Sequence, residues 1–418
     1  ALAIFTQRSP EKGDRVGERP RPVPELKAAD IATIEIAQGG GKEKATLSKK
    51  GDKWQVTAPY DKPADSAAVK SMVEGLEKMK WGDVTTQKKD SHGELEVSED
   101  KGLHVVAKDS GGKVLADLFL GKSAGAGTMV RVGGKDEVYQ VAEIFPYNFK
   151  RDAKDWRDKV LFDYKADDAE KVVLTGGGAQ VTLARQPAEK GADGKPKSTA
   201  IFDAKWTIEK DDKDPKALQP GSSSVDDGLV NRLVQGIAGL RATDFHDDMK
   251  PADAGLAEGD ANVRIVRVTF AGGKTAGVRI GAAKGEDVYA QVEGSPSVWS
   301  AKKFTMEALA RVPQDIRDKT VAKLKADELA EITVQQGTDV LALKNTDKGW
   351  KADKVAEQDD TKVKGVADAF DNLVGSGFLV AGIDAKGLEG LVKPKATVTL
   401  KPKKGAPVTL KVGEAVGD

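Results

Sequence analysis

Two hydrophobic rhythms alternate along the chain, and the alternation occurs three times. Ile31–Ile36, Val172–Leu174 and Ile332–Val334 are short β-branched runs. Each is followed by a glycine turn (Gly39–Gly41, Gly176–Gly178, Gly337) and a second strand, the mark of a hairpin. A tryptophan strand comes next, at Trp54, Trp206 and Trp350, with Lys53, Lys205 and Lys351 beside them. The period then becomes helical. Val69, Met72, Val73, Leu76 and Met79 form one stripe, repeated in Val230–Leu240 and Val363–Leu373, and Asp65 stands at the first N-cap. Later, each copy has a strand that ends in glycine: Leu120-Gly121, Ile280-Gly281 and Val412-Gly413. Landmarks kept in one order three times describe an array of homologous repeats.

The pattern places a tether at 1–26, repeat 1 at 27–164, repeat 2 at 165–324 and repeat 3 at 325–418. In repeat 1, three strands precede the helix and four come after it, and Glu143–Lys159 closes the repeat as an irregular helical segment. The predicted fold class is α+β: three tandem units, each a mostly antiparallel sheet in the order β3-α-β4-α with helices on one face. Repeat 2 carries polar insertions at Ala188–Thr199 and Asp211–Ser224, which read as surface loops. Repeat 3 reaches Gly413 and lacks the last hairpin and helix, so it is read as incomplete. Its sheet is expected to continue into further polypeptide or to have its edge covered by a partner strand.

Composition narrows the function. The chain has 418 residues, enough for several cores, with Lys+Arg and Asp+Glu equal at 66 each and finely mixed. Such balance argues against nucleic acid, which needs clustered, uncompensated cations. The absence of cysteine excludes disulfides, thiolate nucleophiles and iron–sulfur clusters. The three histidines, His92, His104 and His246, show no metal-ligand spacing.

Each candidate site has a plain structural reading. The glycine triplets lack the Lys-Ser/Thr of a phosphate loop and do not open a helix, so they read as hairpin turns. Trp54, Trp206 and Trp350 read as core anchors, one per repeat. Trp81 and Trp156 do not recur and are expected to be exposed or at a junction. Asp155-Trp-Arg-Asp-Lys159 and Asp315-Ile-Arg-Asp-Lys319 share Arg-Asp-Lys, and Arg157, Asp158, Lys159, Arg317, Asp318 and Lys319 are read as an ion-paired joint between repeats. Phe245-His-Asp-Asp248 is the most metal-like cluster, but it lies in a loop without a counterpart. No catalytic triad, paired glutamates or nucleotide fingerprint is present, so no catalytic, cofactor-binding or metal residues are assigned.

Ala1-Leu-Ala-Ile-Phe5 has the character of the outer end of a membrane helix, and the Pro-rich Ser9–Pro24 that of a tether. Arg8, Arg15, Arg19 and Arg21 count against export of the downstream repeats.

The strand, turn, strand, tryptophan strand and Pro-Ala-Asp-initiated helix of repeat 1 resemble a known family. So do Gly390-Leu-Val-Lys-Pro-Lys-Ala-Thr-Val-Thr-Leu400, the strand ends Leu118–Gly121 and Leu410–Gly413, and Val288-Tyr-Ala-Gln-Val292. The family is a repeat domain of unknown function in bacterial envelope proteins, often auxiliary to gliding-motility-type ABC transporters. The pattern departs from it at Gly93-Glu-Leu95 and Gly255-Leu256, where the following proline is missing. The resemblance implies an inner-membrane anchor, a periplasmic array and a non-catalytic auxiliary or scaffold role with a transporter complex or other envelope proteins as partners. A second reading is a glycan- or peptidoglycan-binding array with Trp81, Trp156 and Trp299 as stacking platforms.

Overall fold

The computed structural model describes residues 21–125, 127–211, 225–322, 324–353, 355, 357–371, 373–375 and 392–413. The Ala1–Phe5 segment, most of the tether, nearly all of the Asp211–Ser224 insertion and Gly390-Leu391 lie outside them. The chain divides into two compact units: Ala1–Leu161 with Arg241–Asp247, and Phe162–Leu240 with Asp248–Asp418.

Unit 1 holds repeat 1. Strands β1 (Thr33–Gln38), β2 (Glu43–Lys50) and β3 (Lys53–Ala58) form the opening meander, with a short β4 (Lys62–Pro63) beside β3. Gly39, Gly40 and Gly41 all have positive φ, so the first triplet is a hairpin turn. Helix α1 (Ser66–Lys78) comes next, then β5 (Lys80–Thr86), β6 (Leu103–Lys108), β7 (Val114–Ala124), β8 (Gly127–Val132) and β9 (Val138–Ala142). All join one nine-stranded antiparallel sheet in the order β4-β3-β2-β1-β6-β7-β8-β9-β5. Strand alternation puts Ile34, Ile36, Leu47, Val105, Leu118 and Val130 on one face, against Val69, Met72, Val73 and Leu76 of α1. Each buried aliphatic side chain contributes roughly 1.5–3 kcal/mol.

The opposite face carries a smaller cluster of Val97, Phe119, Met129 and Val138 under the loop before β6. That loop explains the recurrent glycine, which lies inside β7 at Gly121 and inside the repeat 2 strand Lys274–Lys284 at Gly281 rather than at a strand end. A Cβ on Gly121 would meet the Leu95 carbonyl oxygen at 2.2 Å, and one on Gly281 would meet that of Ala254 at 2.3 Å. Lys122 N–H donates to Leu95 O in the same place. Only glycine lets the loop backbone approach the strand so closely.

Unit 2 holds repeats 2 and 3. Repeat 2 has β10 (Ala169–Gly176), β11 (Ala179–Arg185), β12 (Trp206–Asp211) and α2 (Asp227–Ala238). The three-residue β13 (Asp244–His246) belongs to unit 1. Next come β14 (Arg264–Phe270), β15 (Lys274–Lys284), β16 (Asp287–Val292), β17 (Val298–Lys302) and the seven-residue α3 (Lys303–Leu309). Within unit 2 seven strands follow the order β12-β11-β10-β14-β15-β16-β17, matching β3-β2-β1-β6-β7-β8-β9 of unit 1. Repeat 2 ends on β18 (Thr320–Ala322), and repeat 3 follows as β19 (Leu329–Gln336), β20 (Asp339–Thr346), β21 (Gly349–Ala352), α4 (Asp360–Asp368), β22 (Leu373–Val374), β23 (Ala396–Pro402) and β24 (Val408–Val412). Five of these strands form the sheet β21-β20-β19-β23-β24, and β18 pairs with β22.

The α+β expectation is overturned. Among the described residues the fold is mostly antiparallel β, with strand outweighing helix by 43% to 22%. Two features account for the difference. The segment after each helix returns as a strand (β5, β13, β22). The closing helix of repeat 1 is in fact two 3-10 turns, Pro146–Asn148 and Ala153–Trp156. Ile144, Phe149 and Trp156 are each fully buried but share no helical stripe, and Pro146 lacks the N–H of a helix interior, so single plugs replace a packed helix.

Candidate functional site

The two Arg-Asp-Lys segments occupy equivalent backbone positions. In unit 1, Arg157 forms an antiparallel bridge with Ala64, the Asp158 N–H donates to Pro63 O, and the Asp65 N–H donates to Trp156 O at 2.8 Å. In unit 2, Arg317 bridges Val225 and the Asp226 N–H donates to Ile316 O at 2.7 Å. Asp65 and Asp226 are the N-caps of α1 and α2, with side chains that accept from the first helical N–H groups. Each segment is therefore laid against the start of its own repeat's helix.

Its other side meets the strand after the following helix. Val160 bridges Arg241 and the Ala242 N–H donates to Lys159 O at 2.8 Å, all within unit 1. In unit 2, Thr320 pairs with Val374 and the Gly375 N–H donates to Lys319 O, also at 2.8 Å. The same five or six residues thus link one repeat's helix start to the next repeat's post-helix strand.

Side chains complete the seam in unit 1. Arg157 is 3% exposed, with its guanidinium 3.8 Å from the Phe245 ring centroid and 5.1 Å from that of Tyr60. It donates to the Asp247 carboxylate. Lys154 pairs with Asp244 at 2.8 Å, and Lys159 with Asp155 at 2.8 Å. Burial alone would raise the Asp244 carboxyl. The hydrogen bond from Lys154, the Phe245 N–H and the Lys154 charge outweigh it and hold the group below its ordinary value. The Asp244 hydrogen bond raises Lys154 in turn. In unit 2, Asp226, Asp227, Arg317, Asp318, Lys319 and Val374 line a cleft of about 430 Å³ at the corresponding place.

The tryptophans divide differently from the sequence reading. Trp206 is buried, and its Nε1–H donates to Asn231 Oδ1 at 2.7 Å. Trp54 and Trp350 are half-buried against their cores. Trp156 and Trp299 are the most buried, at 0% and 1% exposure, so neither is an exposed platform; Trp81 is half-buried, edge-on to Tyr139. Sequence reasoning missed Asn231, a polar residue on the buried stripe of α2 that also donates to Phe202 O and Ala204 O. Of Phe245–Asp248, Phe245 and Asp247 serve the seam. Among the described residues no group of three metal-type side chains comes together, and no helix is long and apolar enough to cross a membrane.

No curated protein and no solved structure matches the chain. A family model does, over residues 54–259 and again over residues 206–394. Both matches begin on a recurrent tryptophan, Trp54 and Trp206, and each runs through the tryptophan strand and helix of the following repeat. The chain belongs to the family described as Domain of unknown function (DUF4340).

Proposed function

We propose that this chain is a non-catalytic repeat array, anchored at the inner membrane and working in the periplasm as an auxiliary or scaffold subunit of an ABC transporter or gliding-type envelope machinery. The observation that supports an array is the seam: two Arg-Asp-Lys segments with the same backbone bonds at both ends. A joint rebuilt with the same backbone bonds in both repeats suits a protein assembled as an array of like units. The envelope and transporter context rests on the resemblance of the repeat signatures. Crosslinking in native membranes followed by affinity capture of the full-length protein is expected to recover transporter permease or ATPase subunits. Recovery of no envelope protein overturns the reading.

Binding of glycan or peptidoglycan is the weaker reading, since Trp156 and Trp299 are buried. What favours it is an exposed pair, Phe145 and Tyr147, whose ring centroids stack 5.4 Å apart with Tyr147 69% exposed. Cosedimentation with sacculi that disappears in Tyr147→Ala supports it, and failure to sediment removes it.

A further inference from the structure

One rung of the sheet is built in opposite senses in repeats 1 and 2. In repeat 1 the rung runs Val106 on β6, Asp117 on β7 and Gly133 after β8. In repeat 2 it runs Arg267 on β14, Gly277 on β15 and Glu293 after β16. The backbone bonds coincide: Gly133 N–H donates to Asp117 O at 2.8 Å, and Glu293 N–H to Gly277 O at 2.9 Å. In both repeats a carboxylate lies over a glycine. A Cβ on Gly133 would fall 2.4 Å from the Asp117 carboxylate, and one on Gly277 would fall 2.1 Å from that of Glu293.

Repeat 2 fills this place from within. Arg267 closes on Glu293 as a two-pronged fork, Nε to Oε2 at 2.8 Å and a terminal nitrogen to Oε1 at 2.6 Å. Repeat 1 puts a valine where that arginine stands, and the space is an open groove of about 600 Å³ beside Asp117. Glycines 40, 41, 133 and 134 line it and add no side chains. Asp117, with its side chain 43% exposed, accepts from His104 Nε2 at 2.7 Å. The His104 ring lies flat on Phe119, 4.3 Å between centroids and 4° between planes, so its other face is turned away from Phe119.

We propose that this groove binds the guanidinium group of an arginine carried on a partner polypeptide. Asp117 takes the part that Glu293 plays in repeat 2, and the face of His104 turned away from Phe119 gives the planar cation a stacking surface. Glu99 on the lining adds negative charge, Glu35 is already paired with Lys108, and Lys44 opposes it. Arginine suits the place better than lysine, because a carboxylate beside a flat ring matches a planar fork rather than a point charge. A polypeptide suits it better than free arginine. The floor crosses the adjacent strands β2, β1, β6 and β7, which at about 4.8 Å spacing is roughly 14 Å, longer than one side chain. The site stands independently of any envelope or transporter context.

With three histidines among its 418 residues, this chain labelled with ¹³C at histidine gives three ring signals. On titration with acetyl-Gly-Arg-Gly-amide, the His104 signal should move to saturation while those of His92 and His246 stay fixed. Fluorescence anisotropy of the same peptide, dye-labelled, should show at least tenfold weaker binding for Asp117→Asn. The same loss is expected for Val106→Arg, which supplies the guanidinium from within as repeat 2 does. Unmoved His92 and His246 signals in each variant report that it is folded. A still His104, or unchanged binding by both variants, overturns the site. Equal affinity for arginine amide and the peptide overturns the polypeptide assignment, and equal affinity for acetyl-Gly-Lys-Gly-amide overturns the guanidinium.

Discussion

Repeats 1 and 2 share strand order, the aspartate N-cap and the seam, yet several of the polar side chains that secure them differ. At the seam both bury a large apolar residue just before the arginine, Trp156 in one and Ile316 in the other, and both bond that residue's carbonyl to the N-cap N–H. Between tryptophan strand and helix, repeat 2 uses Asn231 on Trp206. On the outer face, repeat 2 uses an arginine fork where repeat 1 leaves a groove. The backbone bonds and close approaches thus define the repeat, while the side-chain solutions are local. A backbone device should therefore be equally costly to lose in either repeat, whereas a side-chain device should matter only where it stands.

No effect is expected to exceed that at Arg157. Arg157→Ala removes a buried guanidinium that packs against two rings and donates to the Asp247 carboxylate, for a loss of about 3 kcal/mol in urea denaturation. A loss below ~1 kcal/mol would mean that backbone bonds alone hold the unit 1 seam. Next come the glycines under the loops before β6 and β14. Gly121→Ala and Gly281→Ala each force a Cβ onto a carbonyl that no rotamer can relieve, at about 3 kcal/mol apiece. Unequal losses would break the equivalence of the two repeats. Asn231→Leu should cost about 2 kcal/mol by stranding the Trp206 indole N–H and two carbonyls. No such loss is expected from the same change at Lys70, one turn into α1.

The smallest effect is a pH dependence in unit 1. The folded Asp244 carboxyl lies below its ordinary value, so its contribution is complete above the unfolded carboxylate range near pH 4 and is lost as pH falls through the lowered value. Lys154 is raised, so its share is complete below about pH 10 and is lost as pH climbs through the raised value. Thermal unfolding followed from pH 7 to pH 2 should show the acid limb flattened in Asp244→Asn. An unaltered limb would assign acid sensitivity to other carboxylates.

Much of the fold is legible in the chain. Period and turn chemistry give the meanders, the α1 stripe and Asp65 as N-cap, because those depend on neighbours a few residues away. The recurrence of Arg-Asp-Lys is visible as well, but its partners are not. Tyr60 and Asp247 lie far from Arg157 in sequence and obey no local pattern. In the sequence β13 reads as loop and Leu373 of β22 as the end of the helical stripe Val363–Leu373, because two or three residues are too few to show alternation. Trp156 defeats sequence reasoning for a related reason: a single plug in a non-periodic segment carries no burial signal. The rung around Asp117 is invisible until registers are known, since its residues come from three separate strands and its meaning from the other repeat.

The assignment of Arg241–Asp247 to unit 1 has a consequence for chain connectivity. The polypeptide passes between the units at Leu161–Phe162, at Leu240–Arg241 and at Asp247–Asp248. A protease that cuts only at Leu161–Phe162 therefore leaves a piece of unit 1 on the fragment that carries unit 2. Neither unit is an uninterrupted stretch of sequence, so expressing repeat 1 up to residue 164 would discard the Phe245 and Asp247 that its Arg157 needs.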